Sequence, residues 1–301
     1  MTDTPGYRSL LAKGELRERV KEARKHLTEC NLCPHECAVN RKERIGFCRA
    51  RDRVVVASYG PHFGEEGPLV GKNGSGTIFF GYCNMRCVFC QNCELSFGGE
   101  GEEVSNEALA KLMLKLQNYY RCHNINLVTP THFVPNILEA LSIAAEEGLN
   151  LPLVYNCGGY ERLKTLQLLE GIVDIYMPDF KYNTAERGEK YSRVKDYPVK
   201  VKAALKEMDR QVGGLKLDDR GIAYQGLLIR HLMMPGGLED TKKVLEFIKE
   251  ELSPECLVNL MEQYYPEHQA FQYEEIARPL TREEFREAYL YAHKLGLRLA
   301  R

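Results

Sequence analysis

Apolar positions set out a helix near the start of the chain and a long alternation of strands and helices after it. In residues 10–29, Leu16, Val20, Ala23 and Leu27 recur at gaps of four, three and four with charged residues between them, the signature of an amphipathic helix. From residue 77 six compact apolar runs follow, at 78–80, 125–128, 151–155, 172–177, 223–230 and 257–261. Helical periodicity lies between and after them, at 106–120 (Leu109, Leu112, Met113 and Leu116 on one face), 133–147, 161–169, 186–195, 199–211, 238–251 and 282–295. Thr281 with Glu284 three residues on predicts a capping box at the start of the last helix. Strands this continuously apolar belong to a parallel sheet covered on both faces. Six units are too few for an eightfold barrel, so the expected fold is α/β, a partial (β/α)6 barrel of parallel strands over 75–301. A small N-terminal segment, 1–74, is expected to hold the first helix, a cysteine-rich metal-binding stretch and a linker.

The linker reading rests on punctuation. After Val54-Val55-Val56, glycine and proline recur from Gly60-Pro61 to Gly76. Gly71-Lys72-Asn73-Gly74-Ser75-Gly76 lacks the Gly-Lys-Ser/Thr ending of a phosphate loop and precedes a strand instead of a helix, so that reading fails.

Composition narrows the class. A formal charge of -1 gives no general attraction to nucleic acid or anionic membranes. No apolar run approaches the roughly 18–20 residues of a membrane span, and the first residues lack a signal pattern, so a cytoplasmic location is expected. Eleven cysteines could mean disulfides, but seven fall in two tight clusters, which in an intracellular chain read as metal sites. Cys30, Cys33, Cys37 and Cys48 form a closed ligand set for zinc or an iron–sulfur cluster, with His35 as a possible substitute ligand. Cys83, Cys87 and Cys90 are only three, and they follow the first strand directly. A cubane cluster takes four ligands, so three leave one iron open, the mark of a reactive site.

In parallel α/β folds chemistry gathers at the C-terminal strand ends. There the sequence sets Thr129, Thr131 and His132 after the second strand and Asn156 after the third. Asp179 and Lys181 follow the fourth, Arg230 and His231 end the fifth, and Gln263 follows the sixth. Cys122, Cys157, Cys256 and His231 are expected in the core, and Cys93 as a spare thiol.

The Cys83/Cys87/Cys90 spacing, with Phe89 before the last cysteine, resembles the radical S-adenosylmethionine (SAM) superfamily. Gln91-Asn92 makes it look like the branch of pyruvate formate-lyase activating enzymes, and the N-terminal four-cysteine stretch looks like a subgroup of activating-enzyme-like proteins. The resemblance implies a [4Fe–4S] cluster on Cys83, Cys87 and Cys90, with the amino and carboxylate groups of SAM on the fourth iron. It also implies reductive cleavage to methionine and a 5′-deoxyadenosyl radical that abstracts hydrogen, and a low-potential electron donor such as flavodoxin or ferredoxin. Phe89 and Asn92 would lie beside adenine, Asp179 would accept from ribose hydroxyls or a cation, and Lys181 and Arg230 would donate to carboxylate or adenine. The Gly-Gly-Glu that such activating enzymes carry after the second strand is replaced by Thr129-Pro130-Thr131-His132, so a Thr hydroxyl, a backbone carbonyl or His132 would take the amino group. Tyr155-Asn156 stands where an Asp-Thr pair is expected, which argues against a cation there. Activation of a glycyl-radical protein and modification of a peptide or small molecule both fit. A non-enzymatic zinc or iron–sulfur sensor is the third reading, weakened by Glu29, Glu36 and Glu43, which offset the arginines around the first cysteine set.

Overall fold

A computed structural model describes residues 4–300. The expected first helix is two, α1 (Gly6–Ala12) and α2 (Glu15–Arg24), broken at Gly14, whose φ of 76° is left-handed. Both lie along α5 (Val134–Glu146): Arg17 pairs with Glu146 and Arg24 with Glu139. Tyr7, Leu16 and Ala23 are fully buried in the main core.

All six expected strands form, as β2 (Ser75–Phe80), β4 (Ile125–Val128), β5 (Leu153–Cys157), β6 (Ile175–Pro178), β8 (Ala223–Leu232) and β9 (Leu257–Met261), and they pair in that order, all parallel. This is the partial barrel the apolar runs predict. A short β10 (Arg298–Leu299) extends it beside β9, and β7 (Lys216–Leu217) pairs with β8. Connecting helices cover the outside: α4 (Asn106–Asn118), α5, α6 (Leu163–Leu168), α7 (Ala185–Ser192), α8 (Tyr197–Val212), α9 (Leu238–Glu251) and α10 (Arg282–Lys294). Thr281 and Glu284 make both bonds of the capping box on α10.

The stretch read as a linker is instead β1 (Val54–His62), antiparallel to β2, with β3 (Glu102–Val104) on its far side. Pro61 is tolerated because β3 pairs only with Val54–Val56, so its missing N–H faces no neighbour. The chain then turns through α3 (Gly67–Val70), and Leu69 inserts among Val154, Ile175, Met177, Leu228 and Leu257, closing the interior from below. The Gly71–Gly76 stretch therefore leads from α3 into β2, with no phosphate loop. Among the described residues no helix is long and apolar enough to cross a membrane.

Candidate active site

Parallel strands place their C-terminal ends on one rim. There a cavity of about 260 Å³ is bordered by the thiols of Cys83, Cys87 and Cys90. Facing them are Thr129 after β4, Asn156 and Cys157 from β5, Asp179 and Lys181 after β6, Arg230 in β8 and Gln263 after β9. Phe89 and Asn92 complete the wall on the cysteine loop. The volume sits near the lower end of small-molecule sites.

The cysteine loop is held from several sides. Tyr82, with φ of 68°, turns the chain out of β2, and its N–H donates to Leu95 O at 2.7 Å. The Met85 amide donates to Cys83 Sγ at 3.4 Å, and Cys87 Sγ lies 3.0 Å from Ser192 Oγ, which also meets Tyr182 Oη at 2.9 Å. Cys90 Sγ reaches Ser96 Oγ at 3.4 Å. Burial pushes the Cys83 thiol well up and the Cys87 thiol to about 11, with neighbouring cysteines adding to the rise at Cys83 and Lys181 opposing it at Cys87. As thiolates these groups need a cationic partner, which iron would provide. Cys93 is half-buried and does not border the cavity.

Opposite the thiols is a buried ion cluster. Asp179 accepts from Lys181 Nζ at 2.6 Å and from Arg230 Nε at 2.9 Å, while Arg230 Nη2 donates to Asn156 Oδ1 at 2.7 Å. Burial alone would raise the Asp179 carboxyl, but the Arg230 and Lys181 charges outweigh it and hold the group below the usual range. Each oxygen of Asp179 thus accepts from one cation, Oδ2 from Lys181 and Oδ1 from Arg230. From below, Glu65 Oε2 comes within 3.7 Å of Arg230 Nη1. Thr129 adopts φ of 60°, an outlier for a β-branched residue, held by its N–H to Asn156 O at 2.8 Å. Gly159 at φ of 77° lies where a Cβ would meet Asp179 O at 2.3 Å, so only glycine lets that loop close on the ion cluster.

Thr131 and His132 lie elsewhere. The chain enters a 3-10 turn at Thr131–Phe133 that carries both under the rim and away from the cavity. Thr131 Oγ1 donates to Glu161 Oε1 at 2.7 Å, and His132 Nε2 contacts Gly81 O at 2.8 Å. Neither takes the amino-group role considered above. Cys122 and Cys256 are core residues, and His231 is buried with both ring nitrogens engaged, by Phe180 O and Thr241 Oγ1.

Glu161, Ser192, Glu65 and Arg86 escape sequence reasoning because each is a lone polar residue outside any pattern. Arg86 is sandwiched between Phe47 and Phe97 and donates to Phe47 O; His35 stacks on Phe47 and meets Asn84 O at 2.9 Å. Residues beside the first cysteine set thus hold the second.

Glu161 makes a pH prediction. Burial raises its carboxyl to about 7 from the ordinary 4.5, against hydrogen bonds from Thr131 and Tyr155 that lower it. Between those values the unfolded chain loses this proton and the folded chain keeps it, so stability falls as pH rises from 4.5 to 7 and is flat above. The contribution is about 3 kcal/mol. Denaturant melts of Glu161→Gln should lack that component of the slope; an unchanged slope would contradict the buried acid.

No family profile matches the chain. In structure, it aligns with a radical SAM methyltransferase from Sphaerobacter thermophilus over 97% of this chain and 90% of the other, at a TM-score of 0.53 and 12% sequence identity. The chain thus shares the fold of that protein. In sequence, it is 36% identical over 289 residues to "Uncharacterized protein MJ0674" of Methanocaldococcus jannaschii, covering 93% of this chain and 79% of the relative. The chain belongs to the family of that protein. It is also 27% identical over 169 residues to "Uncharacterized protein MJ0808" of the same organism, spanning 51% of this chain and 49% of that one.

Proposed function

We propose that the chain is a radical SAM enzyme. The observation that carries this reading is the convergence of three half-buried loop thiols on one rim cavity opposite an Asp–Lys–Arg cluster, with Cys157 of β5 the one further cysteine bordering it among the described residues. Cys83, Cys87 and Cys90 would hold a [4Fe–4S] cluster, which would supply the electron that breaks the sulfonium C–S bond of SAM.

The chain's own residues bind, orient and exclude water. Cys157 lies within β5, apart from the loop that carries the other three cysteines. Ser192 and Ser96 hold the Cys87 and Cys90 sulfurs, and the Met85 amide holds Cys83. Lys181 and Arg230 present donors toward the methionine carboxylate, with Asp179 fixing both. Asn156 and the strained Thr129 offer acceptors to the amino group that the missing glutamate would otherwise take. Phe89, Leu232 and Met261 give apolar surface for adenine. Exposed Arg49, Arg51 and Arg53 line a groove with Tyr82 and Phe97 beside the cysteine loop, which suits an acidic low-potential electron donor. Within the class, Gln91-Asn92 supports an activase-like role on a protein substrate; the same cavity supports modification of a peptide or small molecule.

The test is spectroscopic. After anaerobic reconstitution and reduction, adding SAM should change the g values of the cluster's electron paramagnetic resonance (EPR) signal, because the ligand reaches an open iron. A spectrum indifferent to SAM would count against the open coordination position.

A further inference from the structure

The N-terminal cysteines form a site of their own. The side chains of Cys30, Cys33, Cys37 and Cys48 border a single enclosed cavity, together with Arg41 and His132. Arg41 is 1% exposed, and its Nη1 and Nη2 donate to the carbonyls of His132 and Arg51. Its Nε has no partner, and among the described residues no carboxylate pairs with it. His132 is likewise buried with Nδ1 unpartnered. A buried guanidinium without an anion is costly, and so is an unsatisfied buried imidazole nitrogen. Four neutral thiols carry no charge to offset the guanidinium; four thiolates on a metal centre, net anionic, would pair with it.

The backbone is also arranged for thiolates. Phe47 N–H donates to Cys37 Sγ at 3.4 Å, and the amides of His35 and Ala50 are directed at Cys33 and Cys48. This repeats the Met85 amide on Cys83. Positive φ at Glu36 (41°), Ala38 (50°) and Arg49 (68°), next to Cys37 and Cys48, gives the turns this requires.

The two cysteine sets adjoin, since His35 meets Asn84 O at 2.9 Å and Arg86 donates to Phe47 O. An iron–sulfur cluster placed there could exchange electrons with the loop of Cys83, Cys87 and Cys90, whereas zinc has no redox chemistry. We propose that Cys30, Cys33, Cys37 and Cys48 are the closed ligand set of a second iron–sulfur cluster, with Arg41 as its buried counter-charge.

The test removes the other site. A chain carrying Cys83→Ala, Cys87→Ala and Cys90→Ala together is reconstituted anaerobically with iron and sulfide, and its iron, acid-labile sulfide and zinc are counted. About four irons and as many sulfides per chain are expected; zinc in their place, or neither metal, overturns the proposal. With the loop cysteines absent, this result is independent of whether the chain cleaves SAM. The reciprocal chain, Cys30→Ser with Cys33→Ser, should bind half the iron of the unaltered protein, and an unchanged iron content also overturns it.

Discussion

Cys87→Ala is expected to abolish the proposed formation of 5′-deoxyadenosine, to the level of a protein-free control. Cys87 stands between the other two loop cysteines, and Ser192 at the end of α7 meets its sulfur. Cys93 does not border the cavity, and Cys157 is fixed in β5. Alanine leaves two ligands, too few for a stable cubane. The check is anaerobic reconstitution followed by reduction with SAM present, with iron counted on the same sample. Iron bound by Cys30, Cys33, Cys37 and Cys48 should remain, so the variant loses activity and about half its iron while keeping its fold. Full activity in Cys87→Ala would remove the loop from the chemistry.

The second large effect is on stability. Asp179→Asn leaves Lys181 and Arg230 side by side with no charge between them, in side chains only 15% and 19% exposed. Breaking a buried pair from one side costs about 3 kcal/mol at this degree of burial, since the orphaned cations stay out of water. Glu65, at 3.7 Å from Arg230, offsets only part of that. Chemical denaturation at pH 7 should show the loss, and adding Lys181→Met to the same chain should recover some of it by removing one stranded cation. Equal stability of Asp179→Asn and the native chain would mean the cluster contributes nothing to the fold.

How far the sequence led depends on the kind of signal. The six parallel strands were readable because each is apolar on both faces, and β5, buried at every position, is the clearest case. β1 was hidden because glycine and proline sit in its second half, where only one neighbour makes demands on the backbone. At the rim, position after a strand was enough to place Asn156, Asp179, Lys181 and Arg230 on the cavity. The same argument misplaced Thr131 and His132, because distance along the chain says nothing about a 3-10 turn that folds the segment under the rim. Glu161 and Arg41 left no mark at all. A single charged residue among many becomes informative only when its burial and missing partner are seen.

The central claim is that the three-cysteine rim supports reductive cleavage of SAM. Its most direct test is quantifying 5′-deoxyadenosine and methionine by liquid chromatography and mass spectrometry, using the reconstituted, unaltered chain reduced with dithionite. Equal amounts of the two products, accumulating over time and dependent on both reductant and enzyme, are the predicted result. A chain with its loop cluster intact by EPR and SAM bound, yet producing no 5′-deoxyadenosine, would contradict it.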